Sequence, residues 1–503
     1  MVSTFLSSVF GMLRNMYIAW LFGKGMEADA FLAAFQLPDM IAYFLVGGAA
    51  SITFVTILTR YRDTGHEEEG HRSLSVILTT MYLVLGSAIV IAEFLAPLYV
   101  RWWFNGFDAQ KVALCVHLTR ILLPAQLFFF AGGVFGSVLL VRKQFNVQAV
   151  APLIYNLGTI VGGLLLVKRF GVSSLAIGTV AGAFFGPFLL NAVFAHRVGA
   201  RYRLILDWRD KGLREWVRLS LPLMAGVTLV TADMWIINRF ASSTSGAISL
   251  ITYAKRLFVA PMSILAQAAG AASMPFFASL WAKGQKSEFA NSVADSVSRV
   301  ICLGFLAASG MAALGVPLVS LLFVGGRFSN TDARVCAAYF AVFSASLFLW
   351  SAQSIYSRAF YAAGITSEPM VAGTLVTVVS WPIYSALYHA HGAMGLALAS
   401  DIGIAMQTLA IAALLHRRHM VSLASLDYPE IGRSIGAAIA GGAGTWVVFS
   451  WLLPSAHLNL HGRVQNLAVL IAGGLLWAGV SFWILKVAGS ALPRILIKRL
   501  RLA

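Results

Sequence analysis

The chain has 503 residues, of which 59% are hydrophobic and only 11% charged, and it carries a formal net charge of +17. A soluble domain averages about 25% charged residues, so this composition excludes an ordinary water-soluble fold. The apolar runs are continuous, which excludes a porin-like barrel of alternating apolar and polar residues.

In chain order, the runs predict an all-α polytopic membrane protein with about 14 transmembrane helices. The expected spans are 2–22, 27–59, 74–100, 112–141, 146–167, 173–195, 219–238, 246–281, 297–324, 335–362, 368–389, 393–415, 434–453 and 465–485. The chain begins inside an apolar segment with no small-residue cleavage site, so that segment reads as the first span rather than a signal peptide. "FGKG" (22–25) breaks the first span from the second. "RYRDTGHEEEGHR" (60–72) holds two His and three Glu, and a solvated loop is expected there rather than a metal site. "YRLILDWRDKGLREWVRLSLPL" (202–223) reads as an interfacial helix leading into the seventh span, and "ALPRILIKRLRLA" at the end of the chain reads the same way.

The basic residues lie between the apolar runs, which points to topology and away from nucleic acid. Arg60, Arg62, Arg72, Arg142, Lys143, the Arg197 to Arg218 connection, Arg417, Arg418 and the basic tail all fall on one side if the N-terminus is cytoplasmic. The positive-inside rule then puts both termini in the cytoplasm. Cys115, Cys302 and Cys336 are far apart, with no metal or disulfide spacing.

An internal repeat is also visible. "GAASITFVTIL" (48–58) returns as "GAASMPFFASL" (270–280), and "LFFF" (127–130) returns at nearly the same shift as "LFLW" (347–350). The shift predicts two pseudo-symmetric six-helix lobes of like orientation, a parallel repeat, plus two extra C-terminal helices. The expected organisation is an N-lobe at 1–200, a C-lobe at 201–418 preceded by the interfacial helix, and the last two helices with a basic tail at 419–503.

Five motifs carry a family resemblance. They are "GMLRNMYIAWLFGKGMEADAFLAAFQLPD" near the start, "APLIYN" (151–156), "YAKRL" (253–257), "LFVGGRFSNTDA" (322–333) and "FYAAGITSEP" (360–369). In this order and spacing the chain resembles the MurJ/MviN family, lipid II flippases of the multidrug/oligosaccharidyl-lipid/polysaccharide (MOP) exporter superfamily. The resemblance implies transport of undecaprenyl-diphosphate-linked peptidoglycan precursor across the inner membrane, by alternating access between the two lobes. It also implies a hydrophobic groove for the lipid tail at the last two helices.

A flippase must hold a diphosphate where hydrocarbon would refuse it, and Arg can grip phosphate oxygens in a bidentate fork. Arg14 and Arg256 match family motif positions and are the expected diphosphate contacts, with Lys255 as a third. Asp29 matches the family's "DAF" and is expected to gate the path by receiving Arg14 or another cation, to cap the second helix, or both. Asp233, with Asn238 after it, is the candidate for a coupling cation, because some family members hold sodium in the C-lobe; no carboxylate in the eleventh span completes such a site. Asp39, after Pro38, is a candidate for cavity exposure. Structural pairing is the expectation for Asp39, Glu93, Arg120, Arg358 and Asp401.

The chain departs from the family pattern at Ser8, at Ala42 and Tyr43, and at Gly47, where charged residues are usual, and at Lys255, where an acid is common. These departures favour a related rival, a MOP flippase for another polyprenyl-diphosphate glycan. A drug/cation antiporter is a more distant one, and a polytopic glycosyltransferase would need larger extracytoplasmic loops. No Walker A, H-E-x-x-H or G-x-S-x-G pattern occurs, so the expectation is a transporter and not an enzyme. Its energy would come from a sodium or proton gradient, the membrane potential or downstream consumption. The expected partners are lipid II or a similar glycolipid and membrane lipids, and the expected state is a monomer.

Overall fold

The computed structural model describes residues 2–46, 50–452 and 462–494. Gly47, the first residues of the 48–58 repeat copy and the tail beyond Arg494 lie outside the described residues. Among the described residues every regular element is helical, apart from one bridge between Gly325 and Phe328. The chain forms two compact units, Met1–Gly226 with Ala241–Ser249, and Val227–Phe240 with Leu250–Ala503.

The first unit holds α1 (Val2–Phe22), α2 (Met26–Ala34), α3 (Gln36–Val46), α4 (Ala50–Asp63), α5 (Glu67–Trp103) and α6 (Ala109–Leu122). It continues with α7 (Ala125–Val141), α8 (Phe145–Phe170), α9 (Ser173–Ala183), a π-helical stretch at Phe184–Leu190, α10 (Asn191–Arg197) and α11 (Lys211–Ala225). The "FGKG" break is real. Gly23 has φ +60°, a left-handed conformation that a side chain disfavours, and it stops α1. α5 opens on Glu67, Glu68 and Glu69, which suit the positive end of the helix dipole. α6 opens on Asp108, whose carboxylate accepts from the Lys111 N–H at 2.8 Å. Pro187 cannot donate to the helix ladder, and the turn around it widens to π geometry.

α8 and α9 meet along a seam of small residues. A Cβ on Gly158 would lie 2.5 Å from the Cα of Gly182, and a Cβ on Gly162 would lie 2.5 Å from the Cα of Gly178. Backbones approach this closely only where side chains are absent, the usual device for helices that gain nothing from burying leucine away from lipid. The core of this unit gathers Phe54, Ile77, Leu85, Phe130, Leu139 and Trp216.

The second unit holds α12 (Leu229–Ala241), most of α13 (Ala247–Met262), a π-helical stretch at Ser263–Ala268, α14 (Ala269–Ala282) and α15 (Lys286–Ala313). Then come α16 (Gly315–Phe323), α17 (Asn330–Ala345), α18 (Leu347–Ala362), α19 (Ser367–Arg417), α20 (Tyr428–Val447) and α21 (Arg463–Val487). α19 is two helices joined at Gly392, which has φ +59° and ψ −143°. That break separates the expected spans 368–389 and 393–415. The core packs Phe277, Phe289, Val293, Ile355, Phe360 and Ile411, with a second cluster of Cys302, Leu306, Ala437 and Leu485 under α20 and α21.

Each of the 14 expected apolar segments is a helix or a broken helix where described. By length and composition, nine helices among the described residues are apolar enough to cross a membrane, or ten if the bent pair α17 and α18 is one span. Phe94, Leu165 and Leu475 are 78%, 76% and 71% exposed, as helices solvated by lipid require. The repeat copies fall at like places in the two units, α4 and α14 for the first pair, α7 and α18 for the second.

One element differs from expectation. Helix begins only at Lys211, after Asp210 accepts from the Leu213 N–H at 2.9 Å. Residues 201–207 run without helix beside α5, where the Arg203 N–H reaches Ser75 Oγ at 3.1 Å and Tyr202 meets Thr79 at 3.2 Å. The polar partners on α5 hold that stretch open, against its helical spacing.

Candidate functional site

The first unit contains a cavity of about 250 Å³ lined by Phe35, Asp39, Gln126, Phe129, Tyr155 and Thr179, among others. Pro38 and Asp39 both form its wall. Arg14 on α1 lies with its guanidinium carbon 5.7 Å from the centroid of the Tyr155 ring. Its Nε is buried and has no hydrogen-bond acceptor among the described residues. An arginine that leaves a donor unsatisfied keeps capacity for an anion, and the Tyr155 face steadies the planar cation meanwhile.

Asp29 is fully buried near the start of α2. Its carboxylate accepts from Lys111 Nζ at 2.7 Å, from the Gly246 N–H at 2.9 Å and from the Ser249 N–H at 2.9 Å. The cation it receives is therefore Lys111 and not Arg14. It caps a helix, but not its own: the N-cap of α2 is Gly25, and Asp29 satisfies the open N–H groups at the start of α13. That first turn groups with the first unit. Lys111 also sits 4.4 Å from the Phe107 ring centroid. Sequence reasoning missed Lys111. The available signal was "FDAQK", a helix start whose Asp108 fixes the turn that carries the lysine into the interior.

In the second unit, Asp233 on α12 is 2% exposed and Lys255 on α13 is 7% exposed. Lys255 Nζ lies 2.8 Å from Asp233 Oδ2 and donates to Ser400 Oγ at 3.0 Å. The Tyr384 hydroxyl donates to the other Asp233 oxygen. Lys255 thus stands in a buried ion pair, and Asp233 already has a cation. Among the described residues no group of three or more His, Cys, Asp or Glu is arranged to hold a metal ion. Arg256, the next residue on α13, is exposed. Asp401 follows Ser400 on α19, and its Oδ1 is buried without a hydrogen-bond partner. Arg120 and Glu93 do pair, at 3.7 Å.

Two of the departures from the family pattern have a visible consequence. Ala42 offers no charge in α3, and the Tyr43 hydroxyl beside it donates to the Gly226 carbonyl at 2.5 Å. Glu67 to Glu69 and the two histidines of 60–72 form no metal cluster among the described residues; Glu67 pairs with Arg142 at 2.8 Å.

Residues 18–459 match the family described as Lipid II flippase MurJ. The chain is 28% identical over 511 aligned residues to the probable lipid II flippase MurJ of Haemophilus influenzae, covering 96% of this chain and 98% of that protein. Its fold is similar to the solved structure of a lipid II flippase MurJ in an inward closed conformation, with a TM-score of 0.79 at 18% identity over 96% of this chain and 98% of the other. An inward-facing multidrug MATE transporter of the MOP superfamily shares the fold at a TM-score of 0.67 and 15% identity, over 82% of this chain and 94% of that one.

Proposed function

The chain belongs to the MurJ family of lipid II flippases, and from that premise we propose that it moves lipid II from the inner to the outer leaflet of the cytoplasmic membrane by alternating access. The observation that carries this reading is the family match over residues 18–459. The motifs that bear Arg14, Asp29 and Arg256 all lie in or beside that range.

In this reading Arg14 and Arg256 hold the diphosphate. Arg14 supports it with an unsatisfied guanidinium donor next to a cavity wall. Asp29 with Lys111 is the gate: a buried carboxylate that holds the first turn of α13 in this conformation and would release it in another. The cavity stays polar without trapping the anion, because arginine forks that are partly buried, as at Arg14, or exposed, as at Arg256, are a reversible grip. The protein acts as a monomer in the bacterial inner membrane with both termini cytoplasmic, and an ion gradient or the membrane potential drives it.

The test is rescue of a strain depleted of its own flippase, with the accessibility of lipid II at the outer leaflet as the readout. Rescue is expected; failure despite good membrane expression removes the lipid II assignment. Arg14→Ala and Arg256→Ala should each abolish rescue, and normal growth with both replaced would remove the diphosphate contacts. Ser8, Ala42, Tyr43 and Gly47 favour a second reading, a flippase for another polyprenyl-diphosphate glycan. Rescue of a polysaccharide-export strain without rescue of the lipid II strain would select it.

A further inference from the structure

Lys255 has the surroundings of a bound monovalent cation. Its ammonium touches a carboxylate oxygen of Asp233 at 2.8 Å and the hydroxyl oxygen of Ser400 at 3.0 Å. Three ring faces close the rest of the shell, with centroids at 4.3 Å for Phe343, 4.9 Å for Trp350 and 5.4 Å for Phe258. Oxygen ligands around one full negative charge are what a hard cation requires, and aromatic faces stabilise a cation further when water is excluded. The other oxygen of Asp233 accepts from Tyr384, whose ring is fully buried. Asp401 is the other acid close enough to interact with both Lys255 and Asp233.

We propose that Lys255 is a tethered counter-cation, its ammonium permanently filling the position at Asp233 that an alkali-metal ion would otherwise take. The charge that neutralises Asp233 is then part of the chain and is not exchanged with solvent. A sodium ion arriving there would have to displace an ammonium that cannot diffuse away, against like-charge repulsion at contact distance. The assignment concerns ion use by the second unit and holds whichever lipid the chain carries, so its failure would not touch the flippase reading.

The experiment is thermal unfolding of the purified full chain in sodium chloride and in choline chloride of equal ionic strength. The wild-type midpoint is expected to be the same in both. Lys255→Ala leaves Asp233 buried without its lysine, and is expected to melt roughly 3–5 °C lower in choline. Sodium, or n-propylammonium as a replacement for the missing side chain, should recover a saturable part of that loss. The Lys255→Met, Asp233→Asn, Asp401→Asn triple variant has no charge there to compensate and should be indifferent to the salt. A sodium-dependent rise in the wild type that vanishes in Asp233→Asn would overturn the proposal. So would a folded Lys255→Ala protein that melts alike in all three salts. If Lys255→Ala yields no folded protein, the wild-type sodium titration decides alone, a flat response upholding the proposal.

Discussion

Two buried carboxylates, Asp29 and Asp233, each take a lysine from another helix. Burying a charge costs several kcal/mol unless a partner and hydrogen bonds compensate it. Asp29 has three donors, so removing one leaves a charged group that cannot regain water. Lys111→Met is expected to destabilise the protein by about 3–5 kcal/mol. Adding Asp29→Asn to it should return part of that loss, because the anion is gone and the amide oxygen still accepts from one backbone N–H. Melting temperatures of the two variants check this; a double variant no better than the single would mean that Asp29 is stabilised chiefly by the helix end. Both acids stand out in the sequence as charges within apolar runs, where only a partner or a cavity makes them tolerable. Lys255 stands out as well, but the partner of Asp29 does not. Lys111 is 82 residues from Asp29, and no local pattern announces a pairing at that separation.

Helices α8 and α9 show the same logic between elements. Gly158, Gly162, Gly178 and Gly182 repeat at four-residue spacing, and the structure uses them as a contact seam. Gly162→Leu should destabilise by about 1–3 kcal/mol or more, since the new side chain meets the backbone of α9, which cannot yield. Gly436→Ala in α20 has nothing within 4 Å and should be neutral in the same melting assay.

Helix α11 is held differently. Trp216 packs on Phe54 with ring centroids 5.7 Å apart, and Arg60 grips the Glu215 carboxylate with both of its terminal nitrogens. The hydrogen bonds from Arg60 hold the Glu215 carboxyl below its usual range. A group with a depressed folded-state value stabilises above its unfolded value, near 4.3, and loses that contribution as pH falls through the lower one. Attachment of α11 should therefore be constant through neutral pH and weaken only below about pH 4. The pair is half exposed, so its share stays under about 1 kcal/mol. Hydrogen exchange of 211–225 across that range is the measurement. Arg60→Ala should give the low-pH exchange rate at every pH.

For the whole molecule, charge and hydropathy make the larger prediction. The Arg197 to Arg218 connection is the richest basic segment, and the positive-inside rule assigns it to the cytoplasm. Alkaline phosphatase fused after Arg209 should be inactive, and activity there would invert the proposed topology. The amphipathic stretch at 202–223 looked helical throughout because its apolar and basic residues recur at helical spacing. Only the tertiary environment, Ser75 and Thr79 on α5, shows that its first part satisfies its polar groups without a helix.

Composition determined that the protein is lipid-embedded, since a chain with so few charges has too little polar surface for a water-soluble fold, and the continuity of the apolar runs that it is helical. Apolar run length located the helices, and "FGKG" located one of their breaks. The ordered motifs pointed to the family, because they lie along the chain and can be read in one dimension. The structure alone decided which charges meet. Asp29, expected to meet Arg14 or another cation, meets Lys111, and Asp233, the candidate ion ligand, meets Lys255. The physical reason is that burial makes pairing obligatory but leaves the partner open, and the choice falls to whichever cation the packed helices bring within about 3 Å.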